Sequence, residues 1–491
     1  MKYLRAILKQ IALALVHITI GAVLVGAWFY VDAAQGQADL CPWHTVELDS
    51  EYTGEDDERV TDYSSYVALE HELFAELDRE IDNGGHPTTR LEWSRFNESG
   101  VFELTENALR WNRSVELSVP SPVGGAVLLH GATDSPYSMR ALAEELYSRG
   151  WHVIVPRYQG HGTAPSGLMT FEWEALAKVV DMATVHLRKQ IGPDLPLVAV
   201  GYSTGGALAL EHELSIMEGE PGEPFDQIVN LSPAIGLTPA AALASTLRTC
   251  AKLFGIPKLA WTNIEPEYDP FKYNSFSLNA GDQVYMLSER INARLDRLAD
   301  STGIVKGLPP ILSFVSVLDA TVRTPETIRF YDRLDAEGGH ELVIFDVNRT
   351  QKSDDFLRPS NLPVLARIPA RSDRAYKLSV LSNLSDTSTE LAEWNDVPSR
   401  EGATRVALGL NWPMGVYSLS HVALSIRMDD AVYGLAPRGD PDESSIGNLQ
   451  ARGEHGLFVI STDNLMRMRC NPFFDFLADR TAGTLQRLTG K

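Results

Sequence analysis

The chain has few cysteines and few basic side chains for its size. Only 3 of its 491 residues are Cys, and 43 Lys plus Arg stand against 65 Asp plus Glu, a formal net charge of -22. Cys41, Cys250 and Cys470 allow one disulfide and one remaining thiol, and the sequence does not choose among the three pairings. The acidic balance argues against nucleic acid as a partner and against broad binding to anionic lipid. No CxxC pair or histidine-rich spacing indicates a metal site.

One long apolar run stands out from an otherwise ordinary globular composition. Residues 11–31 are apolar apart from His17 and Thr19, and at about 1.5 Å per residue a helix of this length spans roughly 30 Å, enough to cross a bilayer. Basic residues precede the run and acidic residues follow it, which predicts a cytoplasmic N-terminus and an exported, periplasmic or extracellular, remainder. A cleaved signal peptide is the alternative. Asp32 stands where a cleavage site needs small residues, which favours a retained anchor over residues 1–34.

Residues 35–115 are predicted to form a linker followed by a helical arm. Residues 41–62 are acidic and rich in turn formers. From Tyr63 to Ile81 the apolar residues Tyr66, Leu69 and Leu73 recur at helical spacing, which predicts an amphipathic helix. We expect the carboxylates of this helix to form a solvated face and not a site.

From residue 116 onward, apolar strand-like runs alternate with helical patterns. This alternation predicts an α/β fold with a mostly parallel central sheet and helices on both faces. The first part of the core is predicted at 116–232, a cap insertion with helical pieces near 241–253 and 283–298 at 233–305, and the second part, with insertions and a C-terminal extension, at 306–491. The last core strand is expected at 376–381, followed by polar sequence to 415, and a tail helix at 473–488.

The sequence GYSTG at 201–205 lies between a short apolar run with β-branched residues and an apolar helical run. In a strand–turn–helix context, G-x-S-x-G holds its serine at the apex of a strained turn, where the hydroxyl projects free of the backbone. Gly201 and Gly205 remove side chains where the strand and the helix pass closely. A glycine-rich turn with an incidental serine is the alternative, and the pattern downstream argues against it. Ser203 is therefore the predicted nucleophile.

A serine nucleophile needs a base, and the base needs an orienting carboxylate. In this fold the chain order is serine, acid, histidine. Asp319 directly follows an apolar strand and His421 lies in a late loop, so these two residues are the predicted acid and base. Asp346, which also ends a strand, is the alternative acid, and His455 is the alternative base.

The developing oxyanion needs two backbone N–H donors. We predict that these are the amides of Thr204, directly after the nucleophile, and of Ala132, in the loop after the first buried strand. His130 and His161 are expected to shape their loops and not to catalyse. His340 is expected to be exposed.

Five motifs in combination resemble the α/β-hydrolase superfamily: HGATDSP at 130–136, GHGTAP at 160–165, GYSTGG at 201–206, SFVSVLD at 313–319 and SLSHVAL at 418–424. Within it they resemble the bacterial carboxylesterase and monoacylglycerol-lipase-like branch, also described as serine aminopeptidase-like. The resemblance covers about residues 123–430. It implies that Ser203 is the nucleophile, Asp319 the acid, His421 the base, and Ala132 and Thr204 the oxyanion donors. The anchor, residues 35–115 and the long 347–415 region have no counterpart in the small esterases of this branch.

The sequence therefore predicts a membrane-anchored serine hydrolase that cleaves small-molecule or lipid esters without a metal or organic cofactor. A peptidase or an acyltransferase is an alternative, because the same three residues serve either reaction. A non-catalytic binding protein on the same fold is another, and an intact set of three catalytic residues argues against it. The apolar cap indicates hydrophobic acyl groups, but neither their length nor the oligomeric state follows from the sequence.

Overall fold

The computed structural model describes most of the chain, with gaps in the N-terminal arm, the cap and the C-terminal third. The described residues are 2–36, 38–54, 58–84, 92–97, 106–236, 257–351, 374–397, 402–435, 445–447, 460 and 462–490.

Ten strands of the described chain form one sheet, in the order β1-β3-β2-β4-β5-β8-β9-β10-β11-β12, and β6 and β7 form a separate small ribbon. From β3 to β10 neighbouring strands run parallel, whereas β1, β11 and β12 each run antiparallel to their neighbours. The predicted mostly parallel sheet is confirmed. The strands are β1 Val115–Leu117, β2 Gly124–Leu129, β3 Trp151–Val155, β4 Leu197–Tyr202, β5 Gln227–Leu231, β6 Trp261–Asn263, β7 Phe276–Ser277, β8 Ile311–Ser316, β9 Glu341–Phe345, β10 Lys377–Asn383, β11 Glu390–Trp394 and β12 Arg405–Asn411.

Helices cover both faces of the sheet. The helices are α1 Lys2–Gly36, α2 Tyr63–Gly84, α3 Glu106–Leu109, α4 Arg140–Ser148, α5 Trp173–Ile191, α6 Thr204–Met217, α7 Leu278–Leu298, α8 Thr324–Tyr331, α9 Thr462–Met466 and α10 Phe474–Gln486. The tail helix α10 matches its predicted range to within two residues at either end.

The alternation of side chains along the central strands divides the core into two layers. In β2, Val127 and Leu129 pack with α5, α6 and α7 on one face. Ala126 and Leu128 pack with α4 and α10 on the other face. Because both faces are covered, the central strands are apolar at nearly every position, which is the pattern that the sequence shows. The carboxyl ends of these strands meet at one edge of the sheet, and the site lies there.

The sheet continues past the strand that was expected to be last. β11 and β12 extend it antiparallel from β10, within the sequence that we interpreted as polar connecting chain. β12 lies at the edge and most of its residues are exposed, Val406 among them. A strand that buries so little apolar surface carries a weak sequence pattern, which is why the interpretation was wrong.

The described part of the N-terminal arm, residues 38–54 and 58–84, packs against the core. Helix α2 forms as predicted, but the expectation of a wholly solvated carboxylate face is wrong for Glu70, which is buried. Glu70 and Glu51 both accept hydrogen bonds from the guanidinium of Arg157, which is 1% exposed. The Tyr66 hydroxyl donates to the Arg157 carbonyl at 2.8 Å. A buried cation with two carboxylate partners therefore joins the arm to the loop after β3.

Helix α1 stands apart from this packing. Its segment Lys9–Gly26 is long and apolar enough to cross a membrane, and a signal sequence near an N-terminus meets the same criteria. The apolar side chains of the segment are exposed, for example Leu15 at 58% and Leu24 at 65%.

In the region predicted as a cap, the structure describes residues 233–236 and 257–305; the predicted helical piece 241–253 lies outside the described residues. The other predicted piece forms the greater part of α7. Leu287 and Ile291 of α7 pack in the core with α6, whereas Gly281 and Val284 of its first turns line the cavity described below. This helix therefore serves both the core and the site.

Candidate active site

The turn between β4 and α6 presents Ser203. Its φ of 55° lies in the left-handed region that a non-glycine residue rarely adopts, and such strain persists only where the surroundings impose it. A Cβ at Gly205 would lie 2.1 Å from the Leu129 carbonyl oxygen, and one at Gly201 would lie 2.5 Å from the Gly206 Cα. Both glycines are thus required by close packing of helix on strand.

The structure brings the predicted nucleophile, base and acid together. The Ser203 hydroxyl lies 2.9 Å from His421 Nε2, and His421 Nδ1 lies 2.8 Å from Asp319 Oδ2. A carboxylate only accepts hydrogen bonds, so the imidazole proton is on Nδ1 and Nε2 accepts from the serine. All three side chains are nearly buried, with Ser203 8% exposed. This is the geometry that a general base needs to take a serine proton.

The Asp319 carboxylate is held by three hydrogen bonds in a loop just beyond β8. Its Oδ1 accepts from the amides of Thr321 and Val322 at 2.8 and 2.9 Å, and its Oδ2 faces His421. Burial alone would raise the pKa of Asp319, but the nearby imidazole and these hydrogen bonds outweigh burial and hold it below its usual value. Asp319 is therefore ionised at neutral pH.

The loop of His421 is fixed to the sheet and to the C-terminal segment. The Ser316 hydroxyl, at the end of β8, donates to the Leu419 carbonyl at 2.8 Å. Ser420 donates to the Met468 carbonyl. The His421 ring also packs on Tyr202, with ring centroids 5.2 Å apart. These contacts restrain the imidazole before any substrate arrives.

The two predicted oxyanion donors line the same cavity as Ser203. Thr204 is the first residue of α6, so its N–H has no acceptor within the helix. Within the described chain, neither it nor the Ala132 amide donates a backbone hydrogen bond. Thr133, at φ 66°, turns the loop, and the Lys272 ammonium donates to its hydroxyl at 2.7 Å.

Three of the other buried histidines, which the sequence analysis considered, have partners other than Ser203. His130 and His161 bond backbone carbonyls of their own loops at 2.9 and 2.8 Å. Burial lowers the pKa of His161 to about 4 and that of His130 well below its usual value, so both are neutral. The expectation that His340 is exposed is wrong: its ring is buried, and Nδ1 accepts from the Ile311 amide at 3.1 Å.

The alternative acid has other partners. Asp346 accepts from the Arg349 guanidinium at 2.8 Å and from the Ser382 hydroxyl at 2.6 Å, and burial raises its pKa. The alternative base, His455, lies outside the described residues.

A cavity of about 380 Å³ opens above Ser203. One part of its wall is apolar and another carries amides and cations, among them Lys272, Arg467 and Arg469. Sequence reasoning missed these cations, because they lie in the cap and in the C-terminal segment, far from any recognised motif. Of the charged residues that line the cavity, only Asp134 belongs to a motif that the sequence analysis singled out. Its carboxylate lies 3.1 Å from the Lys272 ammonium.

Comparison with known proteins agrees with this geometry. The chain belongs to the alpha/beta hydrolase family, whose model matches residues 126–372, half of the chain. The family that the five motifs resemble is thereby confirmed.

Within the family, a sequence relative supports the monoacylglycerol-lipase-like branch. The chain is 51% identical over 86 residues to a thermostable monoacylglycerol lipase of Bacillus sp. (strain H-257), a match over 18% of this chain that spans only 33% of the length of that relative. Among solved structures it is similar to a monoacylglycerol lipase of Paleococcus ferrophilus, with 21% identity, 48% of this chain and 88% of that chain covered, and a TM-score of 0.36. It is also similar to a soluble variant of monoglyceride lipase from Saccharomyces cerevisiae, with 15% identity, 48% and 82% covered, and a TM-score of 0.36.

Proposed function

We propose that the protein is a serine hydrolase that cleaves carboxylic esters through an acyl-enzyme on Ser203. The observation that carries the proposal is the hydrogen-bonded series from the Ser203 hydroxyl through His421 to Asp319, at 2.9 and 2.8 Å, beside a cavity. Ala132 and Thr204 line the same cavity, and within the described chain their amides donate no backbone hydrogen bond. Nucleophile, base, orienting acid and oxyanion donors are the complete set that acyl transfer requires.

The reaction follows from these positions. Ser203 Oγ attacks the ester carbonyl carbon while His421 Nε2 takes the hydroxyl proton, and the Ala132 and Thr204 amides stabilise the oxyanion. The tetrahedral intermediate collapses, the bond to the alcohol oxygen breaks, and His421 returns the proton to the leaving alcohol. A water molecule, deprotonated by His421, then attacks the acyl-enzyme and releases the carboxylic acid with Ser203 restored. Asp319 keeps the imidazole in the required tautomer and stabilises its charged form.

We infer that the acyl group is hydrophobic. Ala234, Phe276, Val284, Val322 and Val422 form an apolar wall of the cavity. Such a surface favours an aliphatic chain over a peptide, which would bring polar backbone groups against it. The name of the Bacillus relative, a monoacylglycerol lipase, agrees with a lipid monoester as substrate.

Labelling with a fluorophosphonate probe tests the nucleophile. We expect full-length protein in detergent to be labelled at Ser203 and to hydrolyse short acyl esters, and Ser203→Ala to lose labelling and several orders of magnitude of turnover. Ser148→Ala is the matched control, because Ser148 is exposed on α4 and bonds only the Glu145 carbonyl. An aminoacyl amide in the same panel tests the peptidase alternative. Labelling of Ser203→Ala at another serine would refute the assignment, and an unlabelled wild type would favour a binding protein.

We also propose that α1 is a retained membrane anchor with the catalytic domain on the exported side. The exposed apolar segment Lys9–Gly26 supports this, since in water it would leave about 18 residues of apolar helix uncovered. Full-length protein should stay in the membrane fraction after carbonate extraction, and a protease added to the exported side should digest the hydrolase domain. Recovery of a soluble protein shortened at its N-terminus would instead identify a cleaved signal peptide.

A further inference from the structure

Part of the cavity lining, here called the polar wall, is polar and positively charged. It is formed by Asn263, Lys272, Asn274, Asn464, Arg467 and Arg469. These residues come from the cap region and from the segment around α9, so the wall is assembled from two distant parts of the chain. An aliphatic ester alone offers no anionic partner for the three cations among these residues.

Two of the three cations are neutralised by carboxylates. The Lys272 ammonium pairs with Asp134 at 3.1 Å. The Arg469 guanidinium lies 3.8 Å from the buried Asp269 and donates to the Tyr268 hydroxyl at 3.1 Å. These ion pairs stabilise the polar wall, but they contribute little net charge to the cavity.

The third cation, Arg467, differs. In the described part of the chain no carboxylate lies within ion-pair distance of its guanidinium, and its hydrogen bond goes to the Thr321 hydroxyl at 3.3 Å. Burial raises the pKa of the Tyr202 phenol, which adjoins Ser203 in the chain. The positive charge of Arg467 acts against this rise. The carboxylate of Glu265, behind this wall, already accepts hydrogen bonds from Asn263 and Asn464 and does not line the cavity. Arg467 is therefore half-buried in the lining of the cavity above Ser203, and within the described chain its positive charge has no carboxylate partner.

We propose that Arg467 binds an anionic group on the alcohol portion of the substrate, so that the preferred ester is an acylated alcohol bearing a phosphate, such as a monoacylglycerol phosphate. The inference rests on the proposed ester hydrolysis and narrows its substrate class. The apolar wall takes the acyl chain, which leaves the polar wall for the alcohol. The planar guanidinium suits a phosphate group because it offers paired N–H donors to two phosphate oxygens. Half-burial makes its charge more effective than that of an exposed arginine.

The test compares two esters that differ only in one phosphate group. Full-length protein in neutral detergent at low salt is given 1-butyrylglycerol or 1-butyrylglycerol 3-phosphate, both short enough to stay monomeric, and butyrate release gives kcat/KM for each. In the wild type we expect the phosphate ester to be preferred. Arg467→Gln should lower the ratio of the two kcat/KM values by about tenfold or more, the usual effect of losing a hydrogen bond to a charged group. Arg467→Lys keeps the charge but loses the paired N–H donors, so it should keep part of the preference.

Arg405→Gln is the matched control, because Arg405 is exposed on the edge strand β12 and its guanidinium lies over the Trp394 ring. It removes the same charge from the chain and should leave the ratio unchanged. A wild-type ratio of one or less overturns the proposal. So does a ratio that Arg467→Gln leaves within about twofold of the wild-type value.

A second measurement asks which anion is recognised. Glycerol 3-phosphate should slow fluorophosphonate labelling of Ser203 more than glycerol or inorganic phosphate does, and Arg467→Gln should abolish the difference. Equal slowing by inorganic phosphate would show binding of the free anion and overturn the assignment to the alcohol portion. A protein that is not labelled at Ser203 and cleaves neither ester is a different result: it refutes the proposed hydrolysis itself and, with it, this inference.

Discussion

Replacing Asp319 by Asn changes one atom, and the surrounding hydrogen bonds determine how the new side chain must orient. Oδ1 of Asp319 accepts from the amides of Thr321 and Val322 at 2.8 and 2.9 Å. An Asn that turned its NH₂ group toward these two donors would lose both hydrogen bonds. It therefore keeps its carbonyl there and presents its NH₂ to His421.

The imidazole must then change its tautomer. Facing a donor, His421 Nδ1 has to accept, so the proton moves to Nε2, which at present lies 2.9 Å from the Ser203 hydroxyl. A protonated Nε2 does not take the serine proton. The same replacement in a serine protease costs about 10⁴ in kcat, and we expect a loss of that order, equivalent to about 5.5 kcal/mol of transition-state stabilisation.

The assay is the initial rate of short-ester hydrolysis at saturating substrate, with the melting temperature as a check on folding. Asp346→Asn is the control, because Asp346 is another buried aspartate at a strand end and its partners are Arg349 and Ser382. Below its melting temperature this variant should keep near-normal turnover. A turnover of Asp319→Asn within about tenfold of the wild type would refute the tautomer argument.

Two further predictions concern stability. Burial lowers the pKa of His44 and of His161 to about 4, so between pH 6.5 and 4 the unfolded chain binds more protons than the folded one. The free energy of unfolding should therefore decrease as the pH is lowered through this window, by about 2 kcal/mol per histidine at pH 5. Equal melting temperatures at pH 5 and 7 would contradict this. Arg157→Met strips the buried Glu70 carboxylate of its cation and should destabilise the protein by about 3–5 kcal/mol. Arg329→Met, at an arginine 69% exposed, should cost under about 1 kcal/mol, and equal losses in denaturant titrations of the two variants would count against the argument.

The sequence was most informative where chemistry depends on local structure. The turn at Ser203 is specified by its own neighbours, because Gly201 and Gly205 are required by a strand and a helix that adjoin it in the chain. Asp319 follows its strand in the same local way. His421 lies 218 residues after Ser203, and its contact with the serine depends on the tertiary fold, so only the resemblance of its loop to a known family could indicate it.

Features created by contacts between distant parts of the chain could not be predicted from the sequence pattern. Glu70 looks like any exposed residue of an amphipathic helix until Arg157 is placed beside it. His340 precedes a strand, and its burial depends on the amide of Ile311 from a neighbouring strand. Arg467 lies in a segment without a motif, and the role proposed for it rests on the absence of a carboxylate partner among the described residues.

Under the proposed membrane anchoring, the docked N-terminal arm would limit how far the hydrolase domain can move from the bilayer. Helix α1 ends at Gly36 and Trp43 is already buried in the folded body, so only residues 37–42 lie between them. Fully extended, six residues reach about 20 Å. With α1 retained in the membrane, the enzyme is held on a short tether and does not search the surrounding water. Its substrates would then be esters within that membrane or at its surface. The local lipid composition would set the rate at which substrate reaches the site.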